Sequence, residues 1–200
     1  MRILSIMMLG VLLSGCITLG PPSNTRDICT IFDEQGGWYD DAKDAEKRWG
    51  TPIPVMMAIM HQESRFVANA RPPRKDGFLF FPGKRPSSAY GYAQALDGTW
   101  DFYQRSTGNW GADRDNFEDA IDFIGWYTAL TRQKNRVAAT DAKLHYLNYH
   151  EGWTGYARGS HNRKRWLLDV SGRVGALAQR YEMQLSSCRH KFERKFLFFF

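Results

Sequence analysis

Phe117, Ile121, Ile124 and Thr128, with Ala120 and Tyr127 beside them, recur three and four positions apart. That is the spacing of one buried face of a helix. The same interval runs through Trp166, Val170, Val174, Leu177 and Tyr181 and predicts a second long helix with those residues turned to the core. A helix over about 33–49 is expected to stop at Gly50, a suitable residue just past a helix end. Pro52 and Pro54 suit the opening turn of the next helix, which runs to about Glu63. Asp97 is placed to cap a helix over Gly98 to Ser106, with Gly108 beyond it. Thr140 is placed to cap another that ends near Tyr149. No stretch alternates as a strand and no segment repeats, so the pattern predicts a mostly α domain.

Between Glu63 and Asp97 the periodicity fails. Arg71-Pro72-Pro73-Arg74-Lys75-Asp76-Gly77 leads into Phe78-Leu79-Phe80-Phe81 and then Pro82-Gly83-Lys84-Arg85-Pro86. A long irregular loop is expected over about 68–90, and loops of that length inside a compact domain are uncommon unless functional. Aromatic faces between cations suit a sugar polymer that carries carboxylates. A flap whose aromatics cover the core fits as well.

The two ends set the domain boundaries. Arg2 precedes an apolar run from Ile3 to Leu13 that is too short to span a bilayer. Leu13-Ser14-Gly15-Cys16 follows it and looks like a bacterial lipobox. That likeness implies a signal peptide over 1–15, cleaved before Cys16, and a lipidated N-terminus with a linker over 16–30. A domain over 31–188 and a C-terminal tail over 189–200 complete the expected organisation. Residue 17 is Ile and not Asp, which points to the outer membrane, facing the periplasm, in a Gram-negative cell. The alternative is an ordinary signal peptide with a chance cysteine. Cys29 and Cys188 remain, and in an oxidising compartment they are candidates for one disulfide or for two separate thiols. The terminal Phe196-Leu197-Phe198-Phe199-Phe200 is too short to span a membrane and carries no assigned function.

Two hundred residues suit one domain with one core. The formal charge of +6 is compatible with nucleic acid, an anionic membrane face or an acidic polymer. No zinc-spaced Cys/His set, phosphate-cradling glycine loop or Arg-rich helix accompanies it, so neither a metal, a cofactor nor a nucleic-acid partner is expected.

The candidate chemistry sits at Glu63-Ser64. It ends the nearly unbroken apolar run Val55-Met56-Met57-Ala58-Ile59-Met60-His61-Gln62. Apolar surroundings favour the neutral carboxyl and raise its pKa, and an acid still protonated near neutrality can donate to a leaving oxygen. The plainer reading is a solvated charge beside Arg65.

Two further segments change that balance. Glu63-Ser64-Arg65-Phe66, with Asn69-Ala70 after it, resembles the Glu-Ser motif of lytic transglycosylases of the soluble-lytic-transglycosylase (SLT) type. Gly91-Tyr92-Ala93-Gln94 resembles their Gly-Leu-Met-Gln segment, and Tyr149-His150-Glu151-Gly152 falls where they carry Tyr-Asn-Ala-Gly. The resemblance covers about residues 45–160. It departs at His150 and Glu151, which replace Asn and Ala, and in the long interval between Glu63 and Gln94.

The resemblance implies a lysozyme-like helical domain with a glycan-binding groove, and cleavage of the β-1,4 bond between N-acetylmuramic acid and N-acetylglucosamine in peptidoglycan. It implies that Glu63 is the acid and then the base while the muramoyl C6 hydroxyl attacks C1, leaving a 1,6-anhydro end. Ser64, Gly91, Tyr92, Gln94, Tyr149 and His150 are the implied substrate-binding residues. Each also has a structural alternative: a helix-end cap for Ser64, a turn for Gly91, a satisfied core hydroxyl for Tyr149. Glu151 is a possible second acid, or the partner of a nearby cation. Two other functions stay open at this point: a lysozyme-type hydrolase of the same fold, with Glu151 or another acid positioning water, and a non-catalytic glycan-binding or scaffold lipoprotein.

Overall fold

The computed structural model describes residues 20–74 and 84–193. The expected signal peptide, Cys16, the aromatic centre of the long loop at Phe78–Phe81 and the terminal Phe196–Phe200 lie outside the described residues. The order of elements is α1 (Ile28–Glu34), α2 (Trp38–Trp49), α3 (Ile53–Ser64), α4 (Asp97–Thr107), α5 (Phe117–Asn135), α6 (Ala142–Ala157), a 3₁₀ turn (Ser160–Arg163) and α7 (Arg165–Glu193). Among the described residues there is no strand, only an isolated antiparallel bridge between Tyr90 and Ala95. The mostly α expectation holds.

Helix α3 is the centre. Ile53, Val55, Met56, Met57, Ala58, Ile59 and Met60 are all buried, so the helix has no solvent face over its first two turns. A helix apolar on all sides must be surrounded, and α2, α5, α6 and α7 pack around it. Burying each such Ile or Met stabilises the fold by about 1.5–3 kcal/mol. Pro54 lies in its first turn, as the sequence predicts, and the Ile53 amide donates to the Glu46 carboxylate of α2 at 2.9 Å. That contact satisfies one of the amides a helix start leaves open.

Helices α2 and α5 pack closely. A Cβ on Gly125 would lie 2.6 Å from the Trp49 ring, so the approach of α5 to α2 requires glycine there. Asp122, one turn earlier, accepts from the Trp49 indole at 2.6 Å and from the Tyr103 hydroxyl at 2.7 Å, which joins α2, α4 and α5 at one carboxylate. Helix α7, 29 residues and about 43 Å long, runs along α1, α3 and α6. Cys29 and Cys188 are disulfide-bonded, with Cα atoms 6.1 Å apart, and the bond fastens α1 to the far end of α7.

Several expected boundaries move. The helix anticipated over 33–49 is two helices, broken at Gln35-Gly36-Gly37, where Gly37 takes a φ of 92°. The linker anticipated over 16–30 already contains the start of α1, because Ile28 and Ile31 are fully buried against the core. Asp97 does not cap α4: it is the first helical residue, and its carboxylate pairs with Arg114 at 2.8 Å. Asp141, not Thr140, caps α6 by accepting from the Leu144 amide, and α6 runs on to Ala157 through a bend at Gly152. Trp166 is not core but 56 % exposed; Leu167 takes the buried position. The tail starts later than 189, since Phe192 is buried and Glu193 binds Tyr39 and Lys43.

His145 of α6 is fully buried, and neither ring nitrogen has a well-formed hydrogen bond, Ala138 offering only a poorly aligned backbone contact. Burial, and then the neighbouring Arg132, push its pKa down to about 4, and Ala138 and Asp141 oppose this only in part.

Two predictions follow from this packing. The disulfide closes a separation of 159 residues, for which loop entropy gives about 5 kcal/mol. Urea unfolding of Cys29→Ser/Cys188→Ser is expected to lose a comparable stability. For His145, the unfolded ring binds a proton near the ordinary 6.5 and the folded ring only near 4. Its contribution is therefore lost as pH falls from 6.5 to 4, by about 3 kcal/mol. Glu63 and Asp41, whose folded pKa values are raised, change in the opposite sense, so the wild-type slope alone is not diagnostic. The comparison is: His145→Leu should gain about 3 kcal/mol on the wild type between pH 7 and pH 4.

Candidate active site

Helix α3 ends one residue after Glu63. The chain leaves it through two successive left-handed residues, Arg65 (φ 52°) and Phe66 (φ 64°), and the turn drives the Phe66 ring into the core beside Trp38. Such backbone is uncommon outside glycine and collects at functional sites. The geometry leaves Glu63 at the rim of the core, partly exposed as a residue. Its carboxyl is enclosed enough that burial pushes its pKa up to about 7, even though a hydrogen bond with Tyr146 works the other way.

Tyr146 and Tyr149 come from one face of α6, three residues apart. Burial raises the Tyr149 pKa well above its ordinary value, and the charge of Glu63 is the next largest cause. The Tyr149 hydroxyl itself donates to the Ala93 carbonyl at 2.6 Å. The Tyr149 ring lies 4.9 Å from Tyr127, which stacks on Trp153 at 4.5 Å. An aromatic wall from α5 and α6 thus stands behind the carboxyl.

The segment Gly91–Gln94 links this wall to the chain that leaves α3. Gly91 donates to the Ala70 carbonyl at 3.0 Å, and its φ of 80° makes the turn. A Cβ there would fall on the Arg114 carbonyl, so only glycine fits. Gln94, at φ 48°, donates its amide to the carbonyls of both Ala70 and Gly91 at 2.9 Å. All three motif segments therefore meet: Glu63–Ala70, Gly91–Gln94 and Tyr149.

Other candidates are placed differently. The Ser64 hydroxyl turns back to the Met60 carbonyl at 3.4 Å, as a helix-end residue does, and not toward Glu63. The close approach at Gly91 is to Arg114 and not to open space. Tyr92 packs edge-on against Trp38 and Phe117. The Gln94 amide nitrogen is engaged by backbone, which leaves only its oxygen for another partner. His150 is exposed and its Nδ1 pairs with Glu151 at 2.9 Å.

Glu151 is not a second protonated acid. Burial alone would raise its pKa, but hydrogen bonds from Lys164, Ser160 and His150 outweigh it and hold the carboxyl at about 2. The Lys164 contact is 2.7 Å. The Glu63 shift arises without it, from burial and Tyr146. Among the described residues no His, Cys, Asp and Glu cluster is arranged to hold a metal ion.

Tyr146 is the residue that sequence reasoning missed. Its i, i+3 spacing to Tyr149 lies within the helix anticipated to end near Tyr149, but nothing local in the sequence shows that Glu63 faces it. Two cavities, of 990 and 360 Å³, lie elsewhere and neither is lined by Glu63.

A family model described as a transglycosylase SLT domain matches residues 4–188. No curated protein and no solved structure matches the chain. A match over most of the chain, on a helical domain that gathers its three motifs around one raised carboxyl, places this protein in the transglycosylase SLT family, as a lysozyme-like peptidoglycan lytic transglycosylase.

Proposed function

We propose that the chain cleaves the MurNAc-β-1,4-GlcNAc bond of peptidoglycan with Glu63 as the single acid and base. The observation that carries this reading is the raised Glu63 pKa of about 7, set by burial and moderated by Tyr146. Near neutrality a large share of Glu63 holds its proton, ready for the glycosidic oxygen. The C1–O bond breaks as that oxygen takes the proton, and the leaving sugar departs as an alcohol. The carboxylate so formed accepts the proton of the muramoyl C6 hydroxyl as its oxygen bonds to C1, which closes the 1,6-anhydro ring and returns Glu63 to its starting state. An intramolecular hydroxyl needs no second carboxyl to activate water, and proximity supplies much of the rate.

The hydrolase reading loses its support, because the Glu151 carboxylate is held by three other groups. Attachment to the outer membrane through lipid on Cys16, with the domain in the periplasm, belongs to this proposal and rests on Leu13-Ser14-Gly15-Cys16.

Digestion of purified sacculi followed by mass spectrometry tests the chemistry. The wild type is expected to leave anhydromuramoyl ends, and Glu63→Gln to lose about 10²–10⁴-fold in rate. Reducing ends in the wild-type digest, or an active Glu63→Gln, would refute the mechanism.

The pH profile tests the role of Tyr146. Activity that needs protonated Glu63 falls on the alkaline side of about 7. The Tyr146 hydroxyl lowers that pKa, so Tyr146→Phe is expected to move the alkaline limb of kcat/KM to higher pH. A limb that does not move would show that Tyr146 is only a packing residue.

A further inference from the structure

The face of α3 opposite Glu63 carries a separate feature. Ala58, His61 and Gln62, with Arg65 at the helix end, follow an i, i+3, i+4, i+7 spacing and share one side of the helix. They line a cavity of 360 Å³ together with Thr25 and Arg26 before α1 and Arg173 on α7. No Asp or Glu lines it. Three arginines therefore line one concave site with no acidic residue. None of the three makes an ion pair or a side-chain hydrogen bond with any described residue, whereas Lys43, Lys47, Arg48, Arg114 and Lys164 elsewhere all have acidic partners. The floor is fixed: Thr25 Oγ1 sits 3.2 Å from His61 Nε2, the Thr25 carbonyl accepts from Tyr181, and the Arg26 amide donates to Asn24.

We propose that this cavity is a binding site for a phosphate group, either free or carried on a phospholipid headgroup. The chemistry follows from the donor set. Each guanidinium offers a planar fork that matches two oxygens of an oxyanion. A carboxylate has two oxygens and can satisfy at most two forks face on. A phosphate presents oxygens in three or four directions and can accept from all three arginines, with Gln62 to hand. The three arginines are exposed and uncompensated, so an oxyanion need displace no carboxylate to reach them. The positive field already reaches the ring in the floor: His61 is held below its ordinary pKa by burial, then by Arg65 and Arg26. Glu63 does not line the cavity, although the charge of Arg173 is felt at Tyr146, the neighbour of Glu63.

The test is titration calorimetry on the full chain in detergent at pH 7 and low salt, with inorganic phosphate and with dihexanoyl-phosphatidylglycerol, against acetate. Saturable binding of phosphate, at least tenfold tighter than acetate, is expected. A further tenfold preference for the lipid over inorganic phosphate assigns the headgroup as the source, and the reverse order assigns free phosphate. Arg26→Gln/Arg173→Gln should weaken binding at least tenfold, with folding checked by thermal melting. Should that variant fail to fold, Arg26→Lys/Arg173→Lys keeps the charge but loses the forks, and a loss of at least threefold is expected. Ring NMR supplies a second readout: phosphate should raise the His61 pKa in the wild type by neutralising its cationic neighbours. No saturable binding of either probe, equal binding of acetate, unchanged affinity in a folded variant, or an unmoved His61 titration would overturn the proposal.

Discussion

Helix α3 has no solvent-facing side until its last turn, and the rest of the molecule is arranged to cover it. Four helices must lie against its apolar surface, and α7 must be long enough to reach from α6 past α3 to α1. The same enclosure decides the chemistry. A carboxyl placed where such a helix meets the surface is only partly solvated, and its proton is retained to near neutrality. Core and acid are two consequences of one constraint: the apolar packing that stabilises the domain also keeps the Glu63 carboxyl protonated to near neutrality.

A weak acid acts only if its surroundings hold still, and a short set of hydrogen bonds does this. The chain leaving α3 presents the Ala70 carbonyl, which Gly91 and Gln94 both bind. Ala93, between them, is bound by Tyr149, and Tyr146 one turn back meets Glu63. The loop is closed through elements far apart in sequence. A left-handed Gln94 costs about 1–2 kcal/mol, offset here by its two amide hydrogen bonds, which right-handed backbone would misdirect. The polar side chain of the motif thus acts first on backbone, by holding the segment that fixes Tyr149.

Much of this was legible in the sequence because it is local. Spacings of three and four marked α5 and α7, paired prolines marked the start of α3, and Gly50 and Gly108 marked two helix ends. Glu63 was legible because an apolar run has a chemical consequence for the acid that ends it. What was not legible depends on partners distant in sequence. Asp97 looks like a cap until Arg114 is seen beside it. Ile28 looks like a linker residue until α7 covers it, because the disulfide and the Gln184 carboxamide tie it down from 156 residues away. Tyr146 lay inside the helix expected to end near Tyr149, but its contact with Glu63 joins residues far apart in the chain and leaves no local mark.

Glu63 and Glu151 began as a possible pair, and their neighbours drive them apart. Both are desolvated, and desolvation by itself would raise each pKa. Glu63 has one hydroxyl donor against it and stays near 7; Glu151 has an ammonium, a hydroxyl and an imidazole and falls to about 2. Desolvation is the largest single influence on Glu151, and it takes Lys164, Ser160 and His150 together to reverse the sign. The outcome is a functional division. Glu151 is an anchor that fixes His150 and the 3₁₀ turn to the bend of α6, and its ionisation is constant across the whole neutral range. Of the two, Glu63 is the one whose pKa lies near neutrality. A pair of carboxyls that shared water activation would need the second to be free to take a proton, and a group held at about 2 by a lysine is a poor base. The intramolecular sugar hydroxyl, which asks for only one carboxyl used twice, is the nucleophile that this arrangement favours.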